Sequence, residues 1–337
     1  MEHEDFPGVE LHNITATAPA EWDESGEQLL RVPDEVGDGL NEMAQGRVRC
    51  PSGGEIRFVP QDGEDVEITI STNEDCQFRV FWGPFQPWQP TEIAAGETHT
   101  LTLNVPERVA EMDENIETGR FARNVCRVRF ERYAPIAVHD VSGNPRTPEA
   151  GEVPEKRMLA YGTSITEGAA GSATHMNYVN HAARELGADP LNLGCSGSAY
   201  CEESMAEHIA GRDDWEFATL ALSVNMANTG NFPVEEFAER AEPFVNTIAE
   251  ANPEKPVACI TLFPYHDDIT ASGDAEHSAA YRQTLRDIVA DAPENVTLLE
   301  GPDLLDPAHL GADLLHPGDT GMEEIGENLA AEIEDLV

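Results

Sequence analysis

Apolar and polar residues alternate along much of the first 140 residues, as in Val66-x-Ile68-x-Ile70 and Phe78-x-Val80-x-Trp82. A period of two is typical of strands that bury one face. Glycine and proline interrupt these runs, for example at Gly53-Gly54 and Gly83-Pro84. Many short strands separated by turn residues predict an all-β sandwich or jelly roll over residues 1–150.

The pattern changes after Asp140 to Pro154, a segment rich in glycine, proline, serine and glutamate that we interpret as a linker. Strand-like apolar runs then alternate with helical patterns. The predicted strands are Arg157–Tyr161, Pro190–Leu193, Thr219–Val224, Pro256–Phe263 and Val296–Leu299. The predicted helices are Met176–Leu186, Met205–Ile209, Val234–Ala251, Ala275–Ala290 and Glu323–Leu336. This order predicts an α/β domain over residues 151–337, with helices on both faces of a parallel sheet.

The chain is strongly acidic, with 64 acidic and 20 basic residues, a formal net charge of −44, and only two lysines, Lys156 and Lys255. The acids are spread from Glu2 to Glu334 through segments with clear apolar periodicity, so they do not form a disordered acidic tail. Nucleic acid and anionic membranes are poor partners for such a surface. The acidity and the preference for arginine resemble the composition of extreme halophiles.

We therefore predict that folding depends on salt. A folded chain with this charge repels itself, and raising KCl from about 0.1 M to about 1 M shortens the Debye length from about 10 Å to about 3 Å. The unfolding temperature should rise over that range, as followed by circular dichroism. An unfolding temperature that is independent of salt would contradict the prediction.

Six cysteines are scattered through the chain, and no two form a Cys-x-x-Cys pair, so neither a zinc site nor a redox motif is indicated. Several lie in apolar runs, as Cys259 does in Val257-Ala258-Cys259-Ile260. Such positions suit reduced thiols in a core. A Cys50–Cys76 or Cys76–Cys126 disulfide is the less favoured alternative.

The N-terminal residues Met1 to Asp5 are acidic, and no apolar run follows them, so we identify no signal peptide. No stretch has the length and apolar character that a membrane span requires. We expect a cytoplasmic protein.

Residues Phe81 to Trp88 form a segment dense in aromatic side chains. If exposed, these rings would provide a platform that stacks on sugar faces. The alternative, which we favour, is that they fill the space between two sheets or between domains.

Candidate catalytic residues follow the predicted strands of the second domain. Ser164 follows the first strand, Gly197 follows the second, Asn225 ends the third, and Asp313-x-x-His316 precedes the last helix. The carboxyl ends of parallel strands form the edge of a sheet where ligands bind. Alone, Ser164 would be interpreted as a turn residue or N-cap. The histidine changes that interpretation, because a nearby aspartate can hold one ring nitrogen while the other accepts a serine proton, as acyl transfer requires.

Residues 157–337 resemble the SGNH, or GDSL-type, hydrolases. The blocks of that family are matched in order by Gly162-Thr163-Ser164-Ile165, Gly197, Asn225 and Asp313-x-x-His316-Pro317. The resemblance implies a flavodoxin-like three-layer α/β/α fold, with Ser164 as nucleophile, His316 as base and Asp313 as the residue that orients the base. It also implies an oxyanion hole made by the N–H groups of Ser164 and Gly197 and by the Asn225 side chain.

Two positions depart from the family pattern: Thr163 stands where aspartate is usual, and Ser223 stands where glycine is usual. Threonine at the first position is familiar in the family. Ser223 is expected to affect the loop that holds Asn225.

Four other features have competing interpretations. His266 is the nearest rival base, but we identify no aspartate partner for it at short spacing, and His309 is interpreted as incidental. Tyr200 either covers the substrate or is a plain loop tyrosine. Acidic pairs such as Asp213-Asp214 are interpreted as solvated surface rather than as a metal site.

We therefore expect a serine esterase that releases a short acyl group, such as acetyl, from a carbohydrate, without a metal or an organic cofactor. A β-rich domain before the hydrolase resembles family members that act on acylated sugars or small acylated metabolites. One alternative is a thioesterase or lipase-type hydrolase that uses the same residues; another is a catalytically idle protein that binds glycans. The β domain would contact substrate, pack against the hydrolase domain or form a homodimer, and the sequence does not distinguish these roles.

Overall fold

The computed structural model describes residues 6–230 and 232–337. The chain forms two compact units. The first comprises the residues up to Asp34 together with Val48–Glu155, and the second comprises Glu35–Arg47 together with Lys156–Val337. The sequence analysis, which placed one boundary near residue 150, did not anticipate that the short segment 35–47 joins the second unit.

The first unit contains two antiparallel sheets, in agreement with the predicted all-β domain. Its strands are β1 (Glu10–His12), β2 (Ala16–Ala20), β3 (Asp23–Leu30), β4 (Glu55–Pro60), β5 (Val66–Ser71), β6 (Cys76–Trp82), β7 (Thr91–Ile93), β8 (Thr98–Leu103), β9 (Cys126–Phe130), β10 (Ala137–Ser142) and β11 (Pro145–Arg146). The helices in this half of the chain are α1 (Asp34–Gly37), α2 (Glu42–Val48) and α3 (Glu107–Ala110). One sheet has the order β1-β4-β9-β6-β7, with β11 also paired to β4, and the other has the order β2-β3-β10-β5-β8.

The alternating residues of these strands form the core of the first unit. Ile68 and Ile70 of β5 belong to one sheet, Phe58 of β4 and Phe78 of β6 belong to the other, and all four side chains are fully buried in a single cluster. Each contributes roughly 1.5–3 kcal/mol by leaving water. The two sheets therefore pack face to face as a sandwich.

A charged cluster is buried in the same unit. The Glu55 carboxylate accepts hydrogen bonds from Arg57 (2.7 Å), Arg127 (2.6 Å) and Arg129 (2.8 Å). Burial acts to raise the pKa of Glu55, but the three guanidinium groups outweigh it and hold that pKa well below its ordinary value. The stabilisation is therefore present above the unfolded-state pKa of about 4.3 and is lost as the pH falls through the folded-state pKa.

The aromatic segment divides at the end of β6. Phe81 and Trp82 are buried, as the favoured interpretation expected, whereas Trp88 is 97% exposed. The division arises because Trp82 is the last residue of the strand, and the chain turns at Gly83-Pro84 and reaches Trp88 outside it. Internal packing is therefore the wrong interpretation for Trp88.

The second unit contains the predicted parallel sheet. Its strands are β12 (Arg157–Gly162), β13 (Asp189–Gly194), β14 (Phe217–Ala221), β15 (Val257–Ile260) and β16 (Val296–Leu299). Its helices, besides those of segment 35–47, are α4 (Ser164–Glu167), α5 (Tyr178–Glu185), α6 (Glu203–Ala210), α7 (Val224–Thr229), α8 (Val234–Ala251), α9 (His266–Ile269), α10 (Ala275–Asp291), α11 (Gly301–Leu304) and α12 (Asp319–Ile333), with 3₁₀ turns at Thr174–Met176 and Pro307–His309. The predicted bounds of α8 and β16 match those observed.

The strand order of this sheet, β13-β12-β14-β15-β16, positions the site. The chain starts in β12, adds β13 on one side, and then returns to add β14 on the other. The connection after β12 leads to β13 and the connection after β14 leads to β15, so these two connections diverge at the carboxyl ends of neighbouring strands and open the crevice where α/β proteins bind ligands. Ser164 follows β12 directly and so lies beside this crevice.

All six cysteines are free and buried, which confirms the prediction of reduced core thiols over disulfides. Burial raises the pKa of Cys76 to about 11 and that of Cys259 to about 12, so both stay protonated and unreactive near neutral pH. Within the described ranges, no helix combines the length and the apolar character that crossing a membrane requires.

Candidate active site

Ser164 begins a short helix at the carboxyl end of β12. The strand ends at Gly162, and a Cβ at this position would lie only 2.3 Å from the Thr166 hydroxyl, so glycine allows α4 to start this close to the strand. Thr163 is the N-cap, and its side chain accepts a hydrogen bond from the N–H of Ile165 at 3.4 Å. The resulting turn holds Ser164 with 7% of its surface exposed.

His316 lies in a loop that closes on itself. The N–H of Gly311 donates to the carbonyl of His316 at 2.7 Å, and Leu310 and Pro317 form an antiparallel bridge. Within this closed loop, Asp313 Oδ1 accepts hydrogen bonds from the N–H groups of Leu315 and His316, both at 3.1 Å. The Asp313 carboxylate therefore builds the turn that presents His316.

The structure joins the serine, histidine and aspartate in one hydrogen-bonded chain. Ser164 Oγ lies 2.8 Å from His316 Nε2, and His316 Nδ1 lies 2.7 Å from Asp313 Oδ2. Burial acts to raise the pKa of Asp313, but hydrogen bonds from the His316 ring and from two backbone N–H groups outweigh it, so that pKa is lowered. Asp313 is consequently an anion at neutral pH, and it favours the tautomer of His316 in which Nδ1 carries the proton and Nε2 accepts one.

Gly197 lies in a loop after β13 that several groups hold in place. Its φ of +73° falls in the left-handed region that favours glycine. The N–H of Ser196 donates to Glu167 at 2.9 Å, and the Tyr200 hydroxyl donates to the Gly197 carbonyl at 3.0 Å. Tyr200 is therefore a residue that shapes this loop.

The sequence analysis did not identify Glu167. This side chain is 2% exposed and accepts hydrogen bonds from both the N–H and the hydroxyl of Ser196. It thereby connects α4, which begins with Ser164, to the loop that carries Gly197. The only signal in the sequence was an acid within Ile165-Thr166-Glu167-Gly168, and in so acidic a chain that signal is weak.

Asn225 was predicted to end a strand, and that prediction is wrong. It lies in the first turn of α7. β14 ends at Ala221, and α7 begins at Val224. The Asn225 amide oxygen accepts a hydrogen bond from the N–H of Ala199 at 3.1 Å, which fixes the orientation of the amide and leaves Nδ2 as its donor.

Ser223, at the N-cap of α7, has φ −92° and ψ −38°. This is the ordinary helical region, so a serine here introduces no backbone strain next to Asn225. The departure from the family glycine therefore has no conformational cost at this position.

His266 differs from the expectation in one respect. Its Nδ1 lies 3.0 Å from Asp267 Oδ1, so it does have an adjacent aspartate partner, and the earlier statement that it lacks one is wrong. Its Nε2, however, lies 2.7 Å from the Asn228 amide oxygen and not from a serine. His309 pairs with Glu324 of α12 at 2.7 Å, which raises the pKa of the histidine through that hydrogen bond.

This α/β unit has helices on both faces of its parallel sheet, which defines a three-layer fold. The sequence model that describes the GDSL-like lipase/acylhydrolase family matches residues 155–334 of the chain. The chain belongs to this family, and its activity is that of an acyl ester hydrolase. None of the curated proteins matches the chain in sequence.

Solved structures share the fold over most of the chain. The salicylyl-acyltransferase SsfX3 from a tetracycline biosynthetic pathway is 15% identical with a TM-score of 0.78, and the match covers 98% of this chain and 95% of that one. A family two carbohydrate esterase from Clostridium thermocellum, solved with cellohexaose, is 15% identical with a TM-score of 0.64, covering 97% and 98%. The acetyl xylan esterase Est2A from the rumen bacterium Butyrivibrio proteoclasticus is 12% identical with a TM-score of 0.54, covering 84% and 90%.

Proposed function

We propose that the protein hydrolyses short-chain acyl esters, in particular acetyl esters of carbohydrates, through an acyl-enzyme on Ser164. The observation that carries the proposal is the continuous chain of hydrogen bonds from Ser164 Oγ through the His316 ring to Asp313 Oδ2, at 2.8 Å and 2.7 Å. These distances lie within the range in which a base removes a proton from a serine nucleophile.

In the proposed reaction, Ser164 Oγ attacks the ester carbonyl carbon while His316 Nε2 takes the hydroxyl proton. The N–H groups of Ser164 and Gly197 and the Asn225 Nδ2 stabilise the negative carbonyl oxygen. His316 then returns the proton to the departing alcohol oxygen, which leaves an acyl group on Ser164. A water molecule, deprotonated by His316, attacks this acyl group, and His316 returns the proton to Ser164 Oγ as the bond to the acyl group breaks and the carboxylic acid leaves. Asp313 holds the imidazolium throughout.

The structural neighbours support a short acyl group and a carbohydrate alcohol. Structural neighbours of the whole chain include an esterase solved with a cello-oligosaccharide and an acetyl xylan esterase.

The proposal is tested with p-nitrophenyl acetate, butyrate and octanoate in high salt, together with an acetylated xylan oligosaccharide and acetyl-coenzyme A. We expect kcat/KM to be highest for the acetyl esters and to fall with acyl length. A preference for octanoate would favour a lipase-type hydrolase, and a preference for the thioester would favour a thioesterase. Glycan binding without hydrolysis of any ester would favour the idle binding protein.

Asn225→Ala is expected to lower kcat by about 10²- to 10³-fold with little change in KM. The loss of one oxyanion donor removes about 2.7–4 kcal/mol of stabilisation that exists only in the transition state. The matched control is Asn228→Ala, which removes an amide of the same helix whose oxygen faces His266. An unchanged kcat with a raised KM in the Asn225 variant would contradict the oxyanion role.

A further inference from the structure

Segment 35–47 comes from the first part of the chain but belongs to the compact unit that carries Ser164. It contains most of α1 and α2. The segment lies close against α6, because a Cβ on Gly39 would be only 2.5 Å from the Cβ of Ser204. Leu40 and Ala44 are buried, so the segment is held by apolar packing as well as by polar contacts.

The polar contacts of this segment converge on the loop after β13. Asn41 Nδ2 donates to the carbonyl of Ser198 at 2.8 Å and to the Glu202 carboxylate. The same amide caps α2, since its oxygen accepts from the N–H of Ala44 at 3.2 Å. Arg47 Nε donates to the carbonyl of Ser196 at 3.3 Å. The segment is thus tied to residues on both sides of Gly197.

Met43 lies between these two attachments and extends toward Gly197. A Cβ on Gly197 would lie 3.1 Å from Met43 Sδ, and the Met43 side chain is still 53% exposed. The Met43 thioether therefore lies next to the proposed oxyanion donor with one face in contact with solvent. A methionine in such a position offers an apolar surface that adapts to different partners.

We propose that Met43 is a specificity-determining residue that contacts the alcohol part of the substrate, an inference that rests on the proposed function. In the proposed function the acyl part is only an acetyl group, so the alcohol is the larger part of the substrate. The exposed face of Met43 beside Gly197 is therefore available to contact this alcohol. The class of alcohol that suits a thioether is one with an apolar C–H face, such as a pyranose ring.

The test compares Met43→Ala with the wild-type chain on two acetyl esters, ethyl acetate and a methyl 6-O-acetylglucopyranoside. We expect kcat/KM for the sugar ester to fall about five- to tenfold, mainly through KM, because an apolar contact to the alcohol is lost. The value for ethyl acetate should stay within about twofold, because its two-carbon alcohol offers little apolar surface for Met43 to contact. Met43→Leu, which restores the apolar bulk, should recover most of the activity on the sugar ester.

The control is Leu336→Ala, which also removes an exposed apolar side chain. Leu336 follows α12, whose 15 residues separate it from the His316 loop by about 20 Å, so neither substrate should be affected. Equal losses on both esters in Met43→Ala, or no loss on the sugar ester, would overturn the proposal for Met43. A wild-type chain that hydrolyses neither ester would instead overturn the proposed function.

Discussion

Replacing Ser164 with alanine is expected to lower kcat for p-nitrophenyl acetate by at least about 10⁴-fold. The variant keeps the proposed oxyanion donors and His316 but loses the oxygen that we propose attacks the carbonyl, so no acyl-enzyme should form. Ser164 is nearly buried, and its side chain contributes one hydrogen bond, so the fold should tolerate the change. Initial rates in high salt and a circular dichroism melting curve for each protein provide the measurement.

The matched control for this prediction is Ser272→Ala, which removes the hydroxyl of an exposed serine in a turn of the same unit. It should retain wild-type kcat. If Ser164→Ala kept more than about one hundredth of wild-type activity, another group would be the nucleophile and the proposed mechanism would be wrong.

The fold of the second unit is predictable because its signals are local. The 18 residues of α8 show a helical apolar pattern, and the apolar run of β16 is short and bounded, so both were located with their observed bounds. Asn225 was assigned to the end of a strand because the apolar run Leu220-Ala221-Leu222 continues to Val224. The run is apolar for two different reasons: β14 lies inside the sheet, and the first residues of α7 are buried after it.

The surroundings of Gly197 are the part that the sequence does not predict. Asn41 and Ser198 are separated by 157 residues, and Glu167 and Ser196 by 29. Neither pair has a spacing that a strand or helix period would reveal. Segment 35–47 also interrupts a β-rich region with two short helices, and no composition shift marks its ends. Contacts that depend on tertiary packing alone leave no periodic signal.

Exposure of single aromatic residues is similarly hard to predict. Trp82 and Trp88 both occur in the segment Phe81 to Trp88, yet one is 7% exposed and the other 97%. The difference depends on where β6 ends, and strand ends are the least certain feature of a sequence-based prediction.

Asp313→Asn is expected to lower kcat by about 10³- to 10⁴-fold while leaving the fold intact. Asn keeps an oxygen that accepts from the N–H groups of Leu315 and His316, so the turn is retained. Its amide nitrogen then faces His316 Nδ1 and donates to it, which forces the ring proton onto Nε2. In that tautomer Nε2 no longer accepts a proton from Ser164, and the base is lost.

The comparison with Asp313→Ala separates this effect from a general disturbance of the loop. Alanine removes the acceptor for both backbone N–H groups as well as the partner of the ring, so it should lower the unfolding temperature as well as kcat. Asparagine should lower kcat alone. If the asparagine variant retained kcat within about tenfold of wild type, Asp313 would hold only the turn, and water would orient the His316 ring. Water can reach this position because the Asp313 side chain is 52% exposed. The two variants therefore distinguish the two functions of one carboxylate, in which Oδ1 shapes the loop and Oδ2 selects the tautomer of the base.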